Sequence, residues 1–234
     1  MYSLHFYGEM LADTGRTEPY VEALRRLVRP DSVVLDLGCG PGLFALLACK
    51  LGARRVYAVE PDNAINIARE AAAANGFVDR IVFFQELSTA VTLPERATII
   101  ISDLRGVLPW FQQNIPSVVD ARQRLLASGG VLIPRRDVLW AALVEAADEH
   151  QKLLAPWEER RFDVDLSAGV SKLTNTWRKT RIGVDALLTE PVCWTTLDYC
   201  EVSSADVCAE ISSRVERSEP RVGFDKAFSG ASCS

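Results

Sequence analysis

Short apolar runs alternate with helix-patterned stretches from residue 17 to residue 133. TEPYVEALRRLV (17–28) puts Val21, Leu24 and Val28 on one helical face, with Thr17 at the cap position, Pro19 in the first turn and Pro30 as the stop. SVVLDL (32–37) is apolar and β-branched without polar alternation, the pattern of a strand covered on both faces. LFALLACK (43–50) reads as an apolar helix stopped by Gly52, and RRVYAVE (54–60) as a second strand. Asp62 is placed to cap a helix running to Asn75, with Gly76 as its left-handed stop. Residues 81–85 and 97–103 are a third and a fourth strand, 115–127 a helix, Gly129-Gly130 a turn and 131–133 a fifth strand. Strands without a wet face, alternating with helices, predict an α/β fold with a Rossmann-like parallel sheet covered on both sides.

The alternation stops after Pro134. VLWAALVEAA (138–147) suits strand or helix, DEHQKLLAPWEERR (148–161) is polar and helix-prone, and VCWTTLDY (192–199) and EISSRVER (210–217) are strand-like. The end, FDKAFSGASCS from Phe224, reads as a polar tail. The expected organisation is an N-terminal helical segment (1–30), an α/β domain (31–135) and a smaller β-rich domain (136–234) with a helical insertion at about 148–180.

Composition narrows the function classes. Of 234 residues 48% are hydrophobic, enough for a sizeable core, and the net charge of −5 argues against a general nucleic-acid binder. No apolar run approaches the ~20 residues of a membrane span, and MYSLHFYGEM lacks the pattern of a signal peptide. Six cysteines without a CxxC pair, and only His5 and His150 as histidines, argue against a zinc site, so no metal is expected. The reading is a reduced, cytoplasmic protein with no membrane or nucleic-acid partner.

The chemistry gathers in VVLDLGCGPG. Gly38, Gly40 and Gly42 lie between a strand and a helix, where the backbone must turn sharply and let a ligand approach. Glu60 ends the second strand eighteen residues after Gly42, beside the first loop in this topology, placed to accept both hydroxyls of a ribose. A dinucleotide fingerprint would need a further glycine where Leu43 stands. Asp36, the acid before the loop, suits a cationic ligand better than a pyrophosphate. S-adenosylmethionine, with a sulfonium, an ammonium and a ribose but no phosphate, fits that demand.

DLGCGPG together with EMLADTGRTEPY (9–20), LGARRVYAVEPD (51–62), NGFVDRIVFF (75–84), LPERATIIISD (93–103) and ARQRLLASGGVLIP (121–134) resembles the class I S-adenosylmethionine-dependent methyltransferases, specifically the protein arginine N-methyltransferases. LLTEPVCWTTLDY (187–199) and RVERSEPRVGF (214–224) continue the resemblance more weakly. It implies that residues 1–30 fold over the cofactor and that 136–234 form a partial barrel. It also implies that Arg16 pairs with the cofactor's methionine carboxylate and that Met10 packs near the sulfonium. Asp36, Gly38, Cys39, Gly40 and Gly42 would surround the methionine end, Glu60 and Pro61 would lie at the ribose, and Ser88 and Thr89 at the adenine.

In that family two glutamates grip the acceptor guanidinium, a charged and poorly nucleophilic group. Their positions align with Asp103 and Gln112, so the first acid is shorter and the second is a neutral amide. Arg105 adds a positive charge between them. Asp13 matches the family's N-terminal aspartate, but the Thr-His-Trp stretch that would supply its histidine partner is absent, and the barrel is short. Residues 148–180 stand where the family has a dimerisation arm, which implies a head-to-tail homodimer. The expected function is methyl transfer to an arginine-like or other nitrogen or oxygen nucleophile, on a protein or a small molecule, with Asp103, Gln112 and Asp13 as catalytic candidates. The alternative is a catalytically impaired cofactor-binding pseudoenzyme acting through protein contacts.

Overall fold

SVVLDL becomes the centre of a parallel sheet. The computed structural model describes residues 3–106, 108–110, 112–174, 176 and 180–215. Strands β1 (Val33–Leu37), β2 (Arg55–Val59), β3 (Ile81–Phe84), β4 (Ala97–Ser102) and β5 (Leu126–Ile133) pair in parallel in the order β3-β2-β1-β4-β5. All five residues of β1 are buried. Side chains alternate across it. Val34 joins a core with Tyr20, Leu24, Ala45 and Ile65, while Val33, Leu35 and Leu37 face Ile115, Val118 and Ala121. The expected α/β, Rossmann-like architecture is therefore the one observed.

Helices α1 (Leu4–Ala12), α2 (Thr14–Leu27), α3 (Leu43–Lys50), α4 (Ala64–Ala74) and α5 (Asn114–Arg124) accompany the sheet. Several local expectations are corrected. Helix α2 starts three residues before Thr17, because the Asp13 side chain accepts from Arg16 N at 3.3 Å and takes the cap, while Thr17 Oγ1 donates to Asp13 O inside the first turn. Asp62 does not cap α4. Asn63 is its N-cap, without a side-chain hydrogen bond, and Gly76 is left-handed at φ 72° as expected. Helix α5 ends at Arg124, and Gly129-Gly130 is not a turn between elements. Strand β5 runs through both glycines, with Gly129 at φ 74° and a register shift against Ala97 and Ile99 in β4, so the pair marks a bulge.

The described residues divide into two units, Met1–Asp137 with Leu197–Val207, and Val138–Thr196 with the residues from Cys208. In the second, the ambiguous 138–147 stretch begins as strand β6 (Arg136–Ala141), which pairs with β7 (Val192–Asp198), and 148–161 is largely helix α6 (Ala147–Glu158). Residues 210–215 are not a strand; 216–217 and the tail from Phe224 lie outside the described residues.

Candidate active site

The chain leaves the sheet centre in two directions, through β1 toward β2 and β3 and through β4 toward β5. The crevice of such a sheet lies where those directions part, at the carboxyl ends of β1 and β4. Leu37 pairs with Ser102, so Gly38 and Asp103 leave the sheet side by side. Gly38 has φ 74°, and a Cβ there would collide with the Leu104 side chain. The two loops therefore touch, and only glycine fits. Tyr7 of α1 lies over the next glycine, 2.8 Å from where a Cβ of Gly40 would be.

Two buried acids flank this loop. Asp36 is 2% exposed and accepts from Ala45 N at 2.9 Å, which ties β1 to the first turn of α3. Burial pushes its carboxyl up to about 7 and outweighs the stabilising hydrogen bond; nearby Glu60 and Asp103 add to the rise. Glu60, 7% exposed, accepts from Gly40 N at 3.0 Å and from Asp62 N at 2.9 Å, joining the loops after β1 and β2. Burial raises its pKa as well, against the pull of both backbone donors. Neither acid has an ion-pair partner among the described residues. Cys39 between them is buried, its Sγ 3.7 Å from Gly40 O, and burial followed by the two acids pushes its thiol far up, so it packs as an inert side chain.

Asp103 stands one strand over. Its Oδ2 accepts from Arg16 Nε at 2.6 Å and its Oδ1 from the Tyr20 hydroxyl at 3.1 Å. Arg16 and Tyr20 are four residues apart on α2, one above the other, so a single helix face grips the carboxylate. Arg105 approaches Asp103 Oδ1 with Nε at 3.9 Å and pairs with Asp137 Oδ1 at 2.5 Å. The Tyr199 hydroxyl donates to Asp137 Oδ2 at 2.8 Å, and Asn114 Nδ2 reaches Tyr199 Oη at 3.3 Å and Pro109 O at 2.6 Å.

The other sequence candidates sit as follows. Met10 is half-buried on α1, and Asp13 is the half-buried cap of α2. Pro61 is exposed after Glu60. Ser88 is half-buried and Thr89 exposed in one turn, which Arg124 holds by donating to Ser88 O at 3.0 Å and Val91 O at 2.9 Å. Gln112 is exposed at φ 48°, and among the described residues no hydrogen bond joins it to Asp103. Sequence reasoning missed Tyr20, Asp137, Tyr199, Asn114 and Arg124. Only Tyr20 left a signal, its four-residue spacing from Arg16; the others meet the site through folding over long separations. Among the described residues no cluster of His, Cys, Asp or Glu could hold a metal ion.

A glycine loop that admits no Cβ, between two buried acids without an ion-pair partner among the described residues, fits a small ligand with a positive end and a diol. This geometry on this sheet defines the methyltransferase class. Residues 14–154 match the family model of ribosomal protein L11 methyltransferase (PrmA), more than half of the chain, and the chain belongs to that family. Among curated proteins it is similar to a probable protein arginine N-methyltransferase 6 of Arabidopsis thaliana, 32% identical over 69% of this chain and 38% of that one. Protein arginine N-methyltransferase 2 of Dictyostelium discoideum is 26% identical over 97% of this chain and 46% of its own. The chain thus spans less than half the length of these two relatives. The Trypanosoma brucei PRMT1 enzyme–prozyme heterotetrameric complex with AdoHcy superposes with a TM-score of 0.76 at 28% identity, covering 88% of this chain and 65% of that one. Arabidopsis thaliana protein arginine methyltransferase 10 shares the fold, with a TM-score of 0.72 at 23% identity, over 87% and 65% of the two chains. The family model ends at residue 154, whereas the likeness to arginine methyltransferases runs on through the second unit.

Proposed function

We propose that the chain binds S-adenosylmethionine at the ends of β1 and β2 and transfers its methyl group to an arginine-like or other nitrogen or oxygen nucleophile beside Asp103. The observation that carries this is the pair of buried acids, Asp36 and Glu60, which have no ion-pair partner among the described residues, around a glycine loop that lies against Asp103's own loop. The bound cofactor supplies the electrophile, a methyl carbon on a sulfonium. Asp36, the backbone of Gly38 and Gly40, Cys39 and Gly42 receive the methionine end. Glu60, whose two oxygens each keep a free lone pair beyond the backbone donors, takes the ribose hydroxyls next to Pro61, and Ser88 and Thr89 border the adenine. Met10 closes on the reacting end. Arg16 uses Nε for Asp103, which leaves its terminal nitrogens for the cofactor carboxylate.

Asp103 anchors the acceptor, with Gln112 and Asp13 as the further polar groups of that side. Asp103 would hold the nucleophile for in-line transfer from the cofactor, and catalysis would come mainly from positioning and preorganised charge. The acceptor is a protein side chain or a small molecule. A head-to-tail homodimer through 148–180 belongs to the same reading. Phe162 supports it, 96% exposed and held with Asp163 at φ 55° and 59° in the turn that bridges Arg161 to Val164. The five cysteines among the described residues are all free, three of them exposed, which suits a cytoplasmic setting. Calorimetric titration with S-adenosylhomocysteine tests the site, with Glu60→Ala expected to weaken binding at least tenfold, and label transfer from methyl-labelled cofactor to lysate tests the reaction. Binding of NAD in preference to S-adenosylhomocysteine would overturn the reading.

A further inference from the structure

The carboxylate that a cationic acceptor would need is already engaged by the chain's own side chains. Asp103 carries Arg16 on one oxygen at 2.6 Å, and on the other the Tyr20 hydroxyl at 3.1 Å and Arg105 Nε at 3.9 Å. Arg105 is not free to swing out as a surface side chain would. Its terminal nitrogen is paired with Asp137, its guanidinium lies 5.5 Å from the centre of the Tyr20 ring, and Tyr199 fixes Asp137 in turn. Nε of Arg105 is buried without a hydrogen-bond partner, as are Ser102 Oγ and Asn114 Oδ1, and all three residues line one cavity of about 10 Å³. That volume suits a single water, able to accept from Arg105 Nε and donate to Asn114 Oδ1, which would pin the guanidinium from its inner edge.

Arg105 sets a positive charge beside Asp103 and is paired with Asp137, and Gln112 adds no charge. A guanidinium arriving here would meet Arg105 as a like charge at close range. We propose that Arg105 is a specificity residue that turns the acceptor side against cations, so that the acceptor is an uncharged nitrogen or oxygen nucleophile. This rests on the reading of Asp103 as the acceptor anchor. An uncharged acceptor has the lone pair that a guanidinium lacks. That pair forms the new bond to the methyl carbon, the carbon–sulfur bond breaks with its electrons left on sulfur, and the acceptor's surplus proton leaves to solvent past Asp103.

The test uses two peptides that differ in one side chain, arginine in one and citrulline, its uncharged near-isostere, in the other. Each is titrated by calorimetry into the full chain saturated with S-adenosylhomocysteine. The wild type is expected to bind the citrulline peptide about tenfold more tightly, the size of effect a like charge a few ångströms away produces in a partly exposed site. Arg105→Met is expected to move the ratio about tenfold toward arginine, and Gln112→Glu to move it in the same direction. Melting curves of both variants establish that they fold, and the exposed Gln112 gives a readout that does not disturb the Asp137 pair. A wild-type preference for arginine that neither variant changes overturns the proposal, as does failure of both peptides to bind any of the three proteins. Saturation with S-adenosylhomocysteine is scored first. Its failure removes the methyltransferase reading and this proposal with it, whereas the peptide ratio reports on Arg105 alone.

Discussion

Asp36 secures a helix start at an electrostatic cost. Its hydrogen bond from Ala45 N secures the start of α3, yet burial holds its carboxyl near 7, against 3.8 for the free group. The folded state therefore holds this proton more tightly than the unfolded chain does. Stability contributed at Asp36 falls as pH rises from about 4 to about 7 and levels off above that. Asp36→Asn keeps an acceptor for Ala45 N and removes the titration. Urea unfolding at pH 5 and pH 8 should show the wild type losing roughly 2–3 kcal/mol more across that interval than the variant. Equal losses would mean that Asp36 titrates like a surface acid. A second prediction concerns Gln112. A side chain at φ 48° is strained by about 1 kcal/mol, which glycine avoids. Gln112→Gly should raise the thermal midpoint while weakening acceptor binding, and a lowered midpoint would show that the Gln112 side chain stabilises its loop.

At the scale of elements, legibility in the sequence followed the range of the forces. Strands β1, β2 and β4 were readable because burial on both faces leaves a nearly continuous apolar run, β3 because all four of its residues are apolar, and α3 because its apolar stretch ends at a glycine. The start of α2 was not, since Asp13 and Thr17 both suit a cap and the choice depends on which hydroxyl or carboxylate finds the free backbone N–H. Nor was the run of β5 through Gly129 and Gly130, where pairing with β4 overrides the local preference for a turn. At the site, the glycine loop and Glu60 were legible from spacing, while the partners of Asp103 and the clamp on the Ser88 turn were not. That clamp gives a third prediction. Arg124 is held by Asp120 at 2.6 Å and donates to two carbonyls of the turn. Lysine offers one nitrogen for these fixed directions. Arg124→Lys should therefore speed amide exchange at residues 88–91 and weaken S-adenosylhomocysteine binding severalfold while changing global stability by only ~1 kcal/mol. Unchanged exchange would show that the turn holds itself.

The whole molecule adds a dependence that no local pattern records, because the chain returns to its first unit after leaving it. Leu197 and Tyr199 are 5% and 1% exposed in the core that faces α5. Arg122 donates to Tyr199 O at 2.7 Å and Val202 O at 2.8 Å, Tyr199 N donates to Arg135 O at 2.8 Å, and the Tyr199 hydroxyl reaches Asp137. Each of the two apolar side chains contributes roughly 1.5–3 kcal/mol by burial, and the polar groups they cover would otherwise be left unpaired. Total stability of a domain is only about 5–15 kcal/mol. A chain cut after Asp137 retains every strand of the sheet and the glycine loop, yet it should unfold several kcal/mol more easily than the full chain, or fail to fold. Tyr199→Phe separates the two contributions. It keeps the buried ring and removes the bond to Asp137, so urea unfolding should show a loss of about 1–2 kcal/mol rather than the ~3–5 of Tyr199→Ala. Since Asp137 is what holds Arg105, Tyr199→Phe should also relax the discrimination between citrulline and arginine peptides, with S-adenosylhomocysteine affinity unchanged. A fragment of residues 1–137 as stable as the full chain would show instead that the returning segment only decorates a self-sufficient fold, and the link from Tyr199 to the acceptor side would lose its structural basis.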